Sequence, residues 1–465
     1  MAGLPQPVGR QKEVLILPAH GHHVVLGSAG SGKTTLAIHR SVYLANQDTD
    51  HHGRTLLVTF NRCLVAYLES LATGFPHNVV VENYHRFARG YLNSVGKMSY
   101  DCICGPDLMN SLCSQAVKEA TLAGVTAGVF SQPAEVLVEE FKWLAQHGIA
   151  TSDEYVDAER VGRAGTRIVR ADRPAVFDAY ERYRNLRSAA GKRYDWHDMS
   201  HSVLAELGND TTDRRYKHIV IDEGQDLSPM EIRSLAAAIP ADGSLTFFGD
   251  MAQQIYGNKI SWRDAGLTVM DVWKFEENYR NTQQVARLAL ALAEMPAFPD
   301  VADLVTPKAP TADGPPPVLA SFTSAADEEK FVTDLARRFG KTNNVAVLFR
   351  DRRQVQDFES RLGGQGTRLR WDLNQWPSGS GIFHGTYHSA KGLEFDAVIL
   401  PHLSDEHLPY PSDVAVFGED DAAARDSRLL YVGITRARSN LVLTYTGKMT
   451  KLLPCDETLY QRTEQ

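Results

Sequence analysis

Residues 24–35 read VVLGSAGSGKTT. A short β-branched apolar run leads into Gly27-x-x-x-x-Gly32-Lys33-Thr34, and a helical pattern follows, TTLAIHRSVYLA from residue 34. Strand, glycine-rich turn and helix in that order make a phosphate-binding loop. The backbone N–H groups of Gly27, Ser28, Ala29, Gly30, Ser31 and Gly32 can wrap a polyphosphate, and the start of the helix adds its positive dipole end. Lys33 is placed to neutralise β- and γ-phosphates, and the Thr34 hydroxyl to hold Mg²⁺. Thr35 continues the loop into the helix. The bland alternative is a tight glycine turn with a surface lysine. The full motif in its strand–helix context makes it remote. A bound nucleoside triphosphate does not say what its energy drives, so the rest of the chain has to.

Working outward, further apolar runs bounded by Gly, Asp, Pro or Asn recur: LLVTF at 56–60, HIVID at 218–222, LTFFGD at 245–250, VAVLFR at 345–350, AVILP at 397–401 and LVLTYT at 441–446. Continuous apolar strands alternating with helical patterns indicate parallel sheets covered on both faces. The runs fall into two groups, which predicts two α/β domains. Between about 95 and 215 the pattern turns helical. Ser131 and Pro133 open one helix, with Leu137, Phe141 and Leu144 on a face and Gly148 as its stop. Asp172 and Pro174 open another, with Val176, Tyr180 and Tyr183 on a stripe and Gly191 after it. TPKAPTADGPPPV at 306–318 reads as a proline-rich loop.

The chain has 465 residues, 43% hydrophobic and 23% charged, as in an ordinary soluble globular protein. No apolar run has the length of a membrane span and MAGLPQPVGRQKE has no signal-peptide core, so a cytoplasmic protein is expected. The net charge of −8 argues against a polyanion-binding surface all round but leaves room for a local basic groove. Five cysteines, an odd set, fit reduced thiols. Cys102, Cys104 and Cys113 cluster without a fourth zinc-like ligand.

The second half of the phosphate site is IDEGQD at 221–226. Asp222 ends a strand, so its carboxylate projects at the sheet edge where ligands bind, and it can join the Mg²⁺ shell. Glu223 can polarise an attacking water.

With these motifs placed, the chain resembles the UvrD/Rep-like superfamily 1 DNA helicases, through motifs that run in order from residue 11 to about 446. Gln11 stands where that family keeps an adenine-reading glutamine. TFN, Thr59–Phe60–Asn61, is similar to its first single-strand contact, and NYHRF at 83–87 to a diverged second one. YDWHDM at 194–199 resembles its acidic-aromatic segment. GDMAQQIY at 249–256 resembles the coupling motif, with Gln253 at the γ-phosphate-sensing position. ENYRNT at 277–282 resembles the arginine motif. TYHSAKGLEFD at 386–396 and YVGITRAR at 431–438 resemble the last two.

The resemblance implies two RecA-like P-loop domains with parallel sheets: residues 1–94 and 216–271 forming the first, 95–215 a helical insertion in it, and 272–465 the second. It implies ATP and Mg²⁺ as cofactors. Gln11, Tyr279 and Glu394 would join the phosphate loop in holding the nucleotide. Lys33, Glu223, Gln253, Arg280 and Arg436 would carry the chemistry. Arg436 can reach the nucleotide only when the two domains close, which turns hydrolysis into a motor stroke. Single strands are gripped by phosphate contacts and by base stacking on aromatics. Phe60, Tyr84, Tyr256 and Trp262 are the stacking candidates, with Thr59, Asn61, His85, Arg263 and His388 as polar contacts. Any one aromatic is more often core, except that Trp262 lies in the polar stretch GNKISWRD.

Three departures stand out. GNKIS separates Tyr256 from Trp262. Thr35 replaces an arginine common in relatives, which leaves Tyr279 to stack on the adenine from one side. Only about a hundred residues separate Arg280 from Thr386, where relatives insert a large helical domain. The leading expectation is a 3′–5′ single-stranded DNA translocase or helicase, with RNA not excluded. The other is an ATP-regulated subunit that binds DNA ends and gates a partner such as a nuclease, in repair or phage defence. A P-loop kinase is remote, given the two late arginine motifs.

Overall fold

The structure is a computed structural model. It describes residues 4–28, 30–60, 62–71, 75–160, 168–250, 262–276, 278, 281–298, 312–370 and 372–464. Two parallel sheets organise it. The first has six strands in the order Val79–Asn83, Thr55–Thr59, His218–Ile221, Ser244–Gly249, Gly21–Gly27 and Val272–Phe275. The second has seven, in the order Thr367–Arg368, Gly381–Thr386, Asn344–Phe349, Phe395–Leu400, Ala437–Thr446, Val318–Phe322 and Gln461–Glu464. The apolar runs read from the sequence are all strands here. Val272–Phe275 pairs with Gly21–Gly27, so the first unit reaches past the expected 271/272 boundary.

Strand periodicity sorts the first sheet's side chains into two cores. Val24, Leu26, Leu56, Val58, Ile219, Ile221 and Phe247 face one side, where they pack with the helices Tyr84–Ser94 and Met199–Asn209. Val25, Leu57, Val220 and Phe248 face the other, and that core runs unbroken into Leu348, Phe383, Val398 and Leu430 of the second unit. The two sheets therefore share buried apolar surface, which favours their staying together in water.

The helical insertion has its own core, from Cys104 to Tyr183, with Phe141, Leu144 and Val176 at its centre. It is narrower than 95–215, because Met199, Val203 and Leu207 belong to the first sheet's core. Gly148 ends the Ala134–His147 helix in the left-handed region, φ 75°. Ser131 lies in a preceding 3₁₀ turn and Pro133 takes the cap position. Buried ion pairs tie the insertion's chain together: Arg160 to Glu140 at 2.6 Å and Arg187 to Asp195 at 2.6 Å. Among the described residues no helix is long and apolar enough to cross a membrane.

Candidate functional site

In a parallel sheet the strand ends converge on one edge, and ligands bind there. The first sheet brings Gly27, Thr59, Asn83, Asp222 and Asp250 to that edge. The loop after Gly27 needs its glycines. Gly30 and Gly32 have φ of 80° and 82°, which L side chains rarely adopt. A Cβ on Gly27 would come within 2.3 Å of Ser31 Oγ. Lys33 opens the Lys33–Leu44 helix and is buried. Its Nζ donates to the carbonyls of Gly27 and Ser28 at 2.9 and 2.7 Å, and lies 3.7 Å from Asp250. Gln11 is buried behind the loop, donating to Ser31 O at 3.1 Å and accepting from Val8 N at 3.0 Å. Thr35 is half-buried beside it.

Asp222 and Glu223 lie next to Lys33. Asp222 is 1% exposed, and neither carboxylate oxygen closes a hydrogen bond of normal geometry, although the Thr34 hydroxyl faces it. Burial, and then the Glu223 charge, push the Asp222 carboxyl well above the usual range. Two buried carboxylate oxygens left unclaimed beside a threonine hydroxyl are an oxygen donor set that fits the inner or outer shell of a hard divalent cation such as Mg²⁺, whose charge would hold Asp222 ionised. Glu223 adopts a left-handed backbone, φ 53°, and accepts from Gln225 Nε2 at 2.5 Å. Burial alone would raise the Glu223 carboxyl. Lys33, Arg436, the Gln225 amide and Lys391 outweigh it and hold the group below its ordinary value, as an anion. Gln225 Oε1 also accepts from Asp250 N at 2.8 Å, so one amide links the two acid motifs.

The second unit reaches this site. Arg436 is fully buried at the end of the Glu419–Thr435 helix, near enough to Glu223 and Asp226 to shift both. Its guanidinium donates to Val432 O and Leu393 O, both at 3.1 Å. Lys391 forms a buried ion pair with Asp226 across the two units. Asn281 donates to the carbonyls of Thr435 and Ala437 at 3.2 and 2.6 Å, on either side of Arg436. Glu394 pairs with Arg438 at 3.2 Å. Ala29, Asn61, Gln253, Tyr256, Tyr279 and Arg280 lie outside the described residues.

Between the units runs a cleft of about 1350 Å³. One wall carries Phe60, Arg62, Asn83, His85, Arg86, Arg89 and Trp196 of the first unit. The other carries Arg352, Arg368, Arg370, Thr386 and His388 of the second. Asp372 is the one acid lining it among the described residues. The cleft is locally basic on an acidic chain. Arg89 and Arg352 are exposed and make no ion pair among the described residues, whereas Arg368 and Arg370 are held by Glu359 and Asp372 at 2.7 and 2.6 Å. Trp196 is half-buried, with His85 edge-on at 5.1 Å and donating to its carbonyl at 3.0 Å. Asp195 builds the turn that carries Trp196, accepting from the N–H groups of His197 and Asp198 at 2.8 and 3.0 Å.

The cleft brings together Phe60, His85 and His388 of the expected strand contacts. Burial pushes the His388 imidazole down to about 3, so it can offer an N–H but no charge. Tyr84 is corrected. It is buried, its hydroxyl is bonded to Ser234 Oγ at 2.7 Å, and its ring lies in the first unit's core. It opens a helix, and the residue after it, about 100° round, takes the cleft side instead. Thr59 is also fully buried and does not line the cleft. Trp262 packs edge-on against Phe247 at 5.1 Å, at the margin of the core; neither it nor the exposed Arg263 is in the cleft lining. The polarity of its sequence neighbours hid a partner fifteen residues upstream.

Sequence reasoning named no role for Gln225, Asp250, Lys391, Asn281 or Trp196, although each stands inside a quoted motif. It had no signal for Arg89, Arg352, Arg368 or Arg370.

Comparison with known proteins agrees with this geometry. The UvrD/REP helicase N-terminal domain matches residues 9–279, and the UvrD-like helicase C-terminal domain residues 372–448. The chain is 25% identical to the ATP-dependent DNA helicase UvrD2 of Mycobacterium tuberculosis, over 94% of this chain and 78% of that protein. It is 22% identical to a probable DNA helicase of Mycoplasma pneumoniae, over 94% and 83%. It is 23% identical to DNA helicase IV of Escherichia coli, over 90% and 66%. With the N-terminal family covering more than half of its length and the C-terminal family following in order, this chain belongs to the UvrD/REP helicases, a family of ATP hydrolases.

Proposed function

We propose that the protein is an ATP-driven motor that moves 3′ to 5′ along a single DNA strand held in the inter-unit cleft. One observation carries this reading: the same interface holds both the buried Arg436–Glu223 neighbourhood and the arginine-lined cleft. Whatever changes the spacing of the units for hydrolysis also changes the walls of the cleft.

In this reading the loop N–H groups and Lys33 bind the triphosphate, and Lys33 exchanges its carbonyl partners for phosphate oxygens. Thr34 and Asp222 hold Mg²⁺, which neutralises charge on the phosphates when bound. Glu223, kept anionic by its cationic neighbours, takes a proton from the attacking water, and Gln225 fixes its orientation. Arg436 stabilises charge on the transferred phosphoryl group. In the cleft, Arg89 and Arg352 meet backbone phosphates, while Phe60 and Trp196 offer faces for bases.

The test is the ATPase rate with single-stranded DNA, duplex DNA and RNA in parallel, followed by displacement of a protein block from each end of a single strand. Stimulation by single strands, and faster clearing of the 5′ block, are expected. Clearing of the 3′ block instead would reverse the polarity. Stimulated hydrolysis with neither block displaced would point to a regulatory binding subunit.

A further inference from the structure

We propose that residues 369–370 and 372–380 form a strap between the two α/β units, with Trp376 as a positioning residue that sets their spacing before any ligand binds. This rests on the cleft reading above for its functional consequence, but its structural basis is separate.

The strap joins two second-sheet strands, Thr367–Arg368 and Gly381–Thr386, and leaves its own unit to touch the first. The Trp376 ring stacks on Phe383 at 4.7 Å and 14°, which anchors it to the second sheet. Its edge meets Tyr67, on the first-unit helix Arg62–Leu71, at 5.1 Å and 65°. Two hydrogen bonds from the first turn of that helix complete the bridge. Arg62 donates to Asn374 Oδ1 at 3.2 Å, and Cys63 Sγ donates to Arg370 O at 3.2 Å. Cys63 and Tyr67 are four apart and so lie on one helix face. Leu369 and Leu373 join the apolar cluster of Leu64 and Leu68.

The position of this bridge gives it a role. Arg62 and Cys63 on one side, and Arg370 and Asp372 on the other, line the cleft, so strap length fixes cleft width. The same helix also touches the turn that carries Lys391. A Cβ on Gly392 would come within 2.5 Å of Leu64 Cδ2. A shift of the strap is therefore felt both at the cleft wall and at the ion pair with Asp226. A half-buried aromatic edge and two hydrogen bonds make a contact that can open and close, as interfaces within a chain commonly do.

The experiment compares wild type with Trp376→Ala and Trp376→Phe by small-angle scattering without nucleic acid, and by ATPase titrated with single-stranded DNA. Trp376→Ala should raise the radius of gyration of the free protein, and Trp376→Phe should not. The DNA concentration for half-maximal ATPase should rise on the order of fivefold to tenfold in Trp376→Ala, the scale of one lost aromatic pair with its buried area. Turnover at saturating DNA should stay within about twofold, because a bound strand spans both walls and restores the spacing. A folded Trp376→Ala protein with unchanged radius and unchanged half-saturation overturns the strap. So does a fall in saturated turnover with half-saturation unmoved. Should Trp376→Ala fail to fold, Tyr67→Leu with Asn374→Ala cuts the bridge from both sides and is read in the same way. Absence of DNA stimulation in the wild type would count against the proposed motor, while the scattering comparison would still decide the strap.

Discussion

The nucleotide site and the cleft face the same interface but are built by opposite means. At the nucleotide site Lys33, Glu223, Asp226, Lys391 and Arg436 are all buried, with Lys391 paired to Asp226 and Lys33 and Arg436 held by backbone carbonyls. At the cleft the charge sits on exposed arginines, two of them with no acid partner among the described residues. Buried charges at close range are worth much and are little screened by salt; exposed ones are worth less and are screened. Chemistry that must position one phosphoryl group needs the first design. A grip that must release and re-form along a strand needs the second.

Substitutions can break or sharpen this contrast. Arg436→Lys keeps one charge but loses the planar fork, and turnover should fall by about 10³ or more while ATP still binds. Steady-state hydrolysis and nucleotide affinity check it, and unchanged turnover would place Arg436 outside the chemistry. Glu223→Gln keeps shape and loses the base, so hydrolysis should fall by about 10² to 10⁴ and leave a trapped ATP complex. Normal turnover there would remove the base assignment. In the cleft, Trp196→Ala should weaken single-strand binding by roughly 1–3 kcal/mol with DNA-free ATPase intact, and Trp262→Ala by less, since its edge is committed to Phe247. Fluorescence titration of both variants decides, and a larger loss for Trp262 would put the strand path elsewhere. The smallest effect belongs to Arg89→Ala, which should lower the slope of log affinity against log salt by about 0.7 and leave hydrolysis without DNA unchanged. A salt slope equal to wild type would show that Arg89 meets no phosphate.

The same contrast explains what could be read in advance. Phosphate chemistry dictates residue types at short spacings, so Gly27–Thr34 and Asp222–Glu223 were legible as a site, and the apolar runs as strands. The cleft is assembled by topology from 60, 62–63, 83–98, 196, 352–356, 368–370, 372 and 385–389. No local pattern joins Arg89 to Arg370. Tyr84 and His85 are neighbours in sequence, yet only the helix that begins there sends one to the core and the other to the cleft. Trp196 stood in a quoted motif, but its exposure depends on the Asp195 turn and on Arg187 from a helix eight residues earlier.

Asn281 also has a mechanical meaning. Among the described residues the chain passes from the first sheet to the second once, after Phe275. At one end of that passage Ser28 donates from its N–H to Phe275 O at 3.1 Å and from its hydroxyl to Glu276 O at 3.4 Å. At the other end Asn281 is fastened beside Arg436. Glu276 is thus fastened at the phosphate loop and Asn281 beside Arg436, five positions apart in the chain. At 3.3–3.6 Å per residue, five positions of chain span at most about 18 Å. While both anchors hold, the two sheets stay within that distance of each other at this edge, and wider travel belongs to the side away from it.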